Sequence, residues 1–202
     1  SIAGGGGIIS VPVLLSVGLP PHFALGTNKL QASFGSLTSS LNYTRGGLVK
    51  FREVLWGIFF TAIGAALGTL VIQQLPQDLL QYIIPVMLLT IFIFMLFSKK
   101  IGLKDEKARW HPKLFFLVFG LTLGFYDGFF GPGTGNFWMI AYVLLLGFNL
   151  KKATAFTKWV NFTSNIVALI FFAIGGKVLL LPGLIMAFGQ LNGAYLGSKL
   201  VL

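Results

Sequence analysis

The stretch Phe125-Tyr126-Asp127-Gly128-Phe129-Phe130-Gly131-Pro132-Gly133-Thr134-Gly135 limits what this chain can fold into more than any other. It interrupts a long apolar run and cannot be helical throughout. Pro132 lacks an amide hydrogen and its ring clashes with the preceding turn, while the flanking glycines weaken the helix further. A helix is predicted to stop near Gly131 and a new one to start near Asn136. The restarted helix aims free backbone N–H groups and a partial positive charge ahead of itself, which is how a helix start holds an anion. Gly4-Gly5-Gly6-Gly7, at the start of the chain, reads as a second copy of the break.

Composition decides the solvent around these breaks. The chain is 55% hydrophobic and 10% charged, with a mean hydropathy of +0.85. A soluble domain carries about 25% charged residues, so there is too little charge here to coat a water-facing surface. The fold class read from this is an all-α polytopic membrane protein. Runs near 54–72, 79–97 and 114–130 each approach the roughly 20 residues of a membrane span. Irregular backbone at that depth is tolerated only where protein buries it or where it lines a wet cavity.

The net charge of +10 does not indicate nucleic acid. The basic residues cluster in short loops between apolar runs, where positive charge sets cytoplasmic orientation. The chain has no cysteine, hence no disulfide framework or thiolate metal site. It opens on Ser1 and a glycine run, so the start of its first membrane element is expected to be missing.

Shifted by 129 positions, so that Gly4 falls on Gly133, the sequence matches itself without gaps. Gly6 falls on Gly135, Gly18 on Gly147, Ala24 on Ala153 and Lys29 on Lys158. Gly46-Gly47 fall on Gly175-Gly176, and Gly64-Ala65 on Gly193-Ala194. Paired repeats with interrupted helices at corresponding positions point to a secondary-transporter site. The expected organisation is a first repeat over 1–97, a charged cytoplasmic loop over 98–112 and a second repeat over 113–202 whose last helix is missing. Within the first repeat, helices are expected over 8–17, 24–45, 53–73 and 79–97. The second should hold a helix to Phe130, then 136–146, 152–174 and 181–200. The helix over 24–45 is too polar for lipid to surround and should face a bundle interior. The fourth, nearly all apolar, should face lipid, with Pro85 placed to bend it.

From Lys113 to Gly147 the chain would reach about 50 Å as one helix, against a hydrocarbon core of about 30 Å. A re-entrant hairpin would leave Lys151 and Lys152 on the same face as Arg45, Lys50, Arg52 and the loop, with Lys177 opposite. A full crossing would move Lys151 and Lys152 to the wrong face. The positive-inside tendency therefore favours re-entry, and with it inverted over parallel repeats.

Lys29, Ser33 and Ser36 share one helix face, with Asn28 beside them; Lys158, Asn161 and Asn165 share the matching face in the second repeat. Two cations, amide and hydroxyl donors, and the helix starts at Gly5, Gly6, Gly133, Thr134 and Gly135 would suit a small oxyanion such as a carboxylate or sulfonate. Each lysine could instead snorkel to the interface, and the serines could pack or bond back to their own helix. Asp127 is the only acid well inside an apolar segment. It is a candidate for a coupling proton, for pairing with Lys158, or for capping the broken backbone. His22 and His111 read as interfacial residues beside prolines rather than metal ligands. Trp56, Trp110 and Trp138 read as interface anchors. No metal, no cofactor and no paired carboxylates or nucleophile–base set is expected, so the chain is not read as an enzyme.

At these residues the chain resembles the TauE/SafE family of membrane permeases, the sulfite exporter or toluene-sulfonate uptake family. The motifs that carry the resemblance are Ala3-Gly4-Gly5-Gly6-Gly7 with Pro12, Gly26-Thr27-Asn28-Lys29, and Gly124 through Gly135. Lys158-Trp159-Val160-Asn161-Phe162-Thr163-Ser164-Asn165, followed by Gly175-Gly176, completes the set. The resemblance implies a multi-pass protein of the cytoplasmic membrane, a homodimer with two related bundles, moving sulfite or sulfur-containing organic anions. The function expected is secondary transport of such anions by alternating access, with a coupling proton or cation. An anion channel with the same lining is the alternative.

Overall fold

The computed structural model describes residues 6–97 and 104–202. Among these, the chain forms eight helices. They are α1 (Gly6–Ser16), α2 (Pro21–Arg45), α3 (Phe51–Gln74) and α4 (Gln77–Phe97), then α5 (Pro112–Phe129), α6 (Thr134–Leu146), α7 (Leu150–Ile174) and α8 (Leu180–Val201). The boundaries follow local chemistry. Pro21 and Pro112 sit at helix starts, where a missing N–H costs nothing. Asn149 caps α7 by accepting from the Lys152 amide at 2.9 Å. Gly47 and Gly176, matched by the repeat, both adopt the left-handed conformation just beyond α2 and α7.

Among the described residues, three helices are long and apolar enough to cross a membrane: α3, α4 over Gln77–Leu96, and α7. The run 114–130 is not among them. Ahead of α5, the Glu106 amide donates to the Gly147 carbonyl at 2.8 Å and the Arg109 amide to the Leu145 carbonyl at 2.9 Å. The Asn149 amide donates to Asp105 Oδ1 at 2.8 Å. The start of α5 and the end of α6 therefore lie side by side, and the two helices form a hairpin. Helices α2 and α7 run antiparallel: Gly26 lies against Phe172, and Thr44 Oγ1 accepts from Trp159 Nε1 at 3.0 Å. Lys50, Lys151 and Lys152 border one surface groove, so these three lysines share one face. Lys177 lies at the other end, donating to the Gln73 carbonyl at 3.1 Å.

Helix α3 packs along α5 through glycines on both sides. A Cβ at Gly64 or Gly68 would run into α5 backbone at Leu121 or Phe125. A Cβ at Gly124 or Gly128 would run into α3 backbone at Thr61 or Ala65. Small residues at this spacing let helices approach until dispersion holds them, since lipid supplies no hydrophobic drive between them. Gly128→Ala should therefore cost about 1–3 kcal/mol through forced separation. The check is the SDS concentration that unfolds the purified variant; a midpoint at the parental value would contradict this packing.

Helix α8 lies along α2, with Gly183 over Leu30 and Thr27, and Asn42 Nδ2 donating to Ser198 Oγ at 2.7 Å. Two buried clusters close the two ends of the bundle. One, toward the basic face, contains Tyr43, Phe115, Trp138, Tyr142 and Phe156. The other contains Val11, Leu25, Ile84 and Phe172. Helix α4 turns Tyr82, Val86, Leu89 and Phe92 outward, as a lipid-facing helix would.

Two expectations are corrected here. Trp138 is no interface anchor: it is fully buried, stacked on Tyr142 with ring centroids 5.3 Å apart. His22 is also buried and donates to the Ile72 carbonyl at 3.0 Å. Hydropathy places both near a membrane boundary, but neighbouring helices cover them. Trp56, by contrast, is half exposed.

Candidate functional site

The break after α5 builds the site. Pro132 and two left-handed glycines, Gly131 (φ 98°) and Gly133 (φ 84°), turn the chain between α5 and α6. Tyr126 Oη ties the turn by donating to the Pro132 carbonyl at 2.8 Å, and Thr134 Oγ1 donates to the Gly131 carbonyl at 2.7 Å. Ending α5 here frees its last carbonyls. The Asp127 carbonyl is one of them, and Lys29 Nζ donates to it at 2.5 Å. The same ammonium pairs with Asp127 Oδ1 at 2.7 Å. A Cβ on Gly131 would sit 2.6 Å from this ammonium, so glycine is needed beside the pair. Asp127 Oδ2 accepts from Ser164 Oγ on α7. One carboxylate thus joins α2, α5 and α7 at their buried crossing. Its partner is Lys29 rather than Lys158, and it is Lys29 that caps the broken helix.

A cavity of about 70 Å³ opens beside this knot. That is room for a few waters, or for an anion of a few heavy atoms. Of the residues proposed from sequence, Gly6, Asn28, Lys29, Ser36, Asp127, Thr134, Gly135, Lys158, Asn161 and Asn165 border it. Two do not. Ser33 turns back to the Lys29 carbonyl at 2.8 Å, and Gly133 lies against Ile91. Ser36 borders the cavity while also bonding back, to Ala32, at 2.6 Å. Gly5 lies outside the described residues. Gly6 and Gly7 form the first turn of α1 rather than a loop. A Cβ on Gly7 would be 3.5 Å from Pro132, so the start of α1 meets the second break directly.

Sequence reasoning missed Gln31, Gly35 and Gln190, which also border the cavity. Gln190 of α8 lies over Gly35 and Gly6, filling the space their missing side chains leave. Its signal was present: an amide in a largely apolar helix.

The electrostatics are asymmetric. Lys29 is neutralised by Asp127. Lys158, 6% exposed, has no hydrogen-bond or ion-pair partner among the described residues. The cavity therefore carries one uncompensated cation. Around it stand the Asn28 amide, whose Oδ1 already accepts from Ser10 and Gln31, and the Gly135 backbone N–H. That N–H, in the first turn of α6, has no backbone acceptor among the described residues. The Asn161 Oδ1 also lacks a protein partner.

The cavity brings a buried lysine and polar groups together where α1, α2, α6 and α7 meet, and comparison with known proteins gives the class of the protein, a membrane transporter. The chain belongs to the TauE/SafE family: the family model described as sulfite exporter TauE/SafE matches residues 1–202. A "Probable membrane transporter protein" of Haemophilus influenzae is 46% identical over all of this chain and 79% of its own length. The Escherichia coli K12 protein YfcA, described in the same words, is 43% identical over all of this chain and 75% of its own length. A Sinorhizobium counterpart, ORF9, is 45% identical over 98% of this chain and 76% of its own length. No solved structure matches.

Proposed function

We propose that the protein is a secondary transporter of the cytoplasmic membrane that carries small sulfur-containing or carboxylate anions in the cavity between the two breaks. The observation that carries this reading is the pairing state of the two lysines. Lys29 has its carboxylate, and Lys158 faces the cavity without one. A buried cation left unpaired is costly, and an anion of the right size removes that cost on binding. The family description, sulfite exporter, supports the sulfur oxyanion class.

Access alternates between two ends in this reading. The antiparallel α2 and α7, which correspond under the 129-residue shift, are the central pair of an inverted repeat. The basic face is cytoplasmic by the positive-inside tendency. Asp127 carries the coupling proton: its protonation would release Lys29 into the cavity, so proton entry and anion capture would favour each other.

The test is counterflow. Proteoliposomes holding the full-length protein are preloaded with unlabelled sulfite, sulfoacetate, taurine or a simple carboxylate, and uptake of the labelled anion is followed. A carrier shows uptake stimulated by anion on the opposite side. Ohmic single-channel current without such stimulation would replace the carrier with a channel, and no flux of any anion would overturn the reading.

A further inference from the structure

We propose that the route from the cavity to the basic face runs through the buried aromatic cluster, along three pairs of polar side chains that the present arrangement leaves without partners. On α2 these are Ser39 and Tyr43; on α7, Asn161 and Thr157; on α6, Trp138 and Tyr142. Each pair is four residues apart, so its members stand one above the other on one helix face. Ser39 and Asn161 border the cavity itself. Tyr43 and Thr157 lie one turn further toward the basic face. Trp138 and Tyr142 follow the cavity residues Thr134 and Gly135 down α6 in the same direction.

Among the described residues, Ser39 Oγ, Tyr43 Oη, Trp138 Nε1, Tyr142 Oη, Thr157 Oγ1 and Asn161 Oδ1 are buried with no protein partner. Only Thr61 Oγ1, on α3, shares that condition outside this line. A buried polar atom without a partner costs about 1–3 kcal/mol. Several of them in file are explained by a second arrangement in which the file is wet. All but Asn161 Oδ1 are hydrogen-bond donors, the chemistry that an anion shedding its hydration needs.

The opposite end shows what a purely structural seal looks like. The 129-residue shift places Ser39 on Ala168 and Tyr43 on Phe172. Tyr43 and Phe172 are both fully buried at equivalent places, one in each cluster. Phe172 packs on Gly26 among Val11 and Leu25, and no unpartnered polar atom lies there among the described residues. The same helix position thus carries a hydroxylated ring toward the basic face and a bare ring toward the other. The basic end is a gate that hydrates when it opens, and the Tyr43 hydroxyl is one of the donors the anion meets on leaving.

This inference rests on the transport reading, but its first test does not need transport. Residues 1–202 contain no cysteine, so Ser39→Cys and Thr157→Cys each add one thiol there, and the unsubstituted protein serves as the labelling blank. In oriented proteoliposomes of the full-length protein, an impermeant methanethiosulfonate is added on one face at a time. Both variants should react at least tenfold faster from the basic face than from the other. Equal rates, or faster reaction from the opposite face, would overturn the route even if anion flux is normal. Tyr43→Phe keeps the ring and removes the donor. It should slow anion exchange about tenfold while the anion's affinity for the cavity stays at the parental value; exchange at the parental rate would remove Tyr43 from the path. Parental protein that moves no anion would sink the transport reading, and the labelling would still report whether the file opens.

Discussion

Replacing Lys158 by methionine should abolish anion exchange and, at the same time, make the anion-free protein more stable. Both effects come from one fact: the ammonium is buried beside the cavity without a counter-charge. In the free protein it contributes desolvation cost and no pairing, so an apolar side chain of similar length relieves strain on the fold. Gains of about 1–4 kcal/mol are typical when buried ion pairs give way to well-packed apolar groups, and an unpaired ammonium forfeits no pairing when it is replaced. With anion bound the sign reverses. Losing one partner of a buried charge pair costs about 2–5 kcal/mol, and 3 kcal/mol is roughly a hundredfold in affinity. Thermal unfolding in detergent with and without anion reads both at once. The parental protein should gain stability on adding anion, and the Lys158→Met variant should start higher and gain nothing. A variant that is destabilised and still shifts with anion would assign Lys158 a structural role.

Asp127→Ala should have the largest effect on the fold. Its carboxylate holds Lys29 at 2.7 Å and accepts from Ser164, so its removal strands a buried ammonium and loosens three helices together. Breaking one side of a buried pair costs about 3–5 kcal/mol. Lys29→Met should cost a similar amount, because it strands the carboxylate instead. The double variant should recover part of the loss, and the coupling measured by that cycle is the signature of a direct pair. Strictly additive single losses would mean the two residues act separately. The contrast between Lys29 and Lys158, equivalent in sequence and opposite in expected effect, is the sharpest consequence of this geometry.

That contrast also marks where sequence reasoning ends. The break at Gly131–Pro132 and the helix stops at Gly46 and Gly175 are local chemistry, readable along the chain; the start of α2 is not, since the sequence reads as a helix from Ala24 and Pro21 opens it. The hairpin of α5 and α6 agrees with the count of lysines on the loops. The partner of Asp127 could not be read. Under the 129-residue shift position 127 has no counterpart within residues 1–202, so the register says nothing about which of the two lysines the acid meets. The contact joins residues 98 positions apart and depends on how α2 crosses the end of α5. Trp138 misled for a related reason: a tryptophan in an apolar helix looks alike whether it faces lipid headgroups or the rings of Phe115 and Tyr142. Ser33 shows the reverse error. It shares a helix face with Lys29, but its hydroxyl returns to its own backbone, a local competitor that face geometry ignores.

The most direct measurement is the position of a bound anion. Crystals of the full-length protein soaked in selenite, a heavier stand-in for sulfite, locate the anion by the anomalous signal of selenium. The peak should lie in the cavity within hydrogen-bonding distance of Lys158 Nζ, between Asn28 and the Gly135 amide, and should vanish in Lys158→Met crystals. A peak elsewhere, or one that survives the loss of Lys158, would contradict the assignment of this cavity as the site of transport.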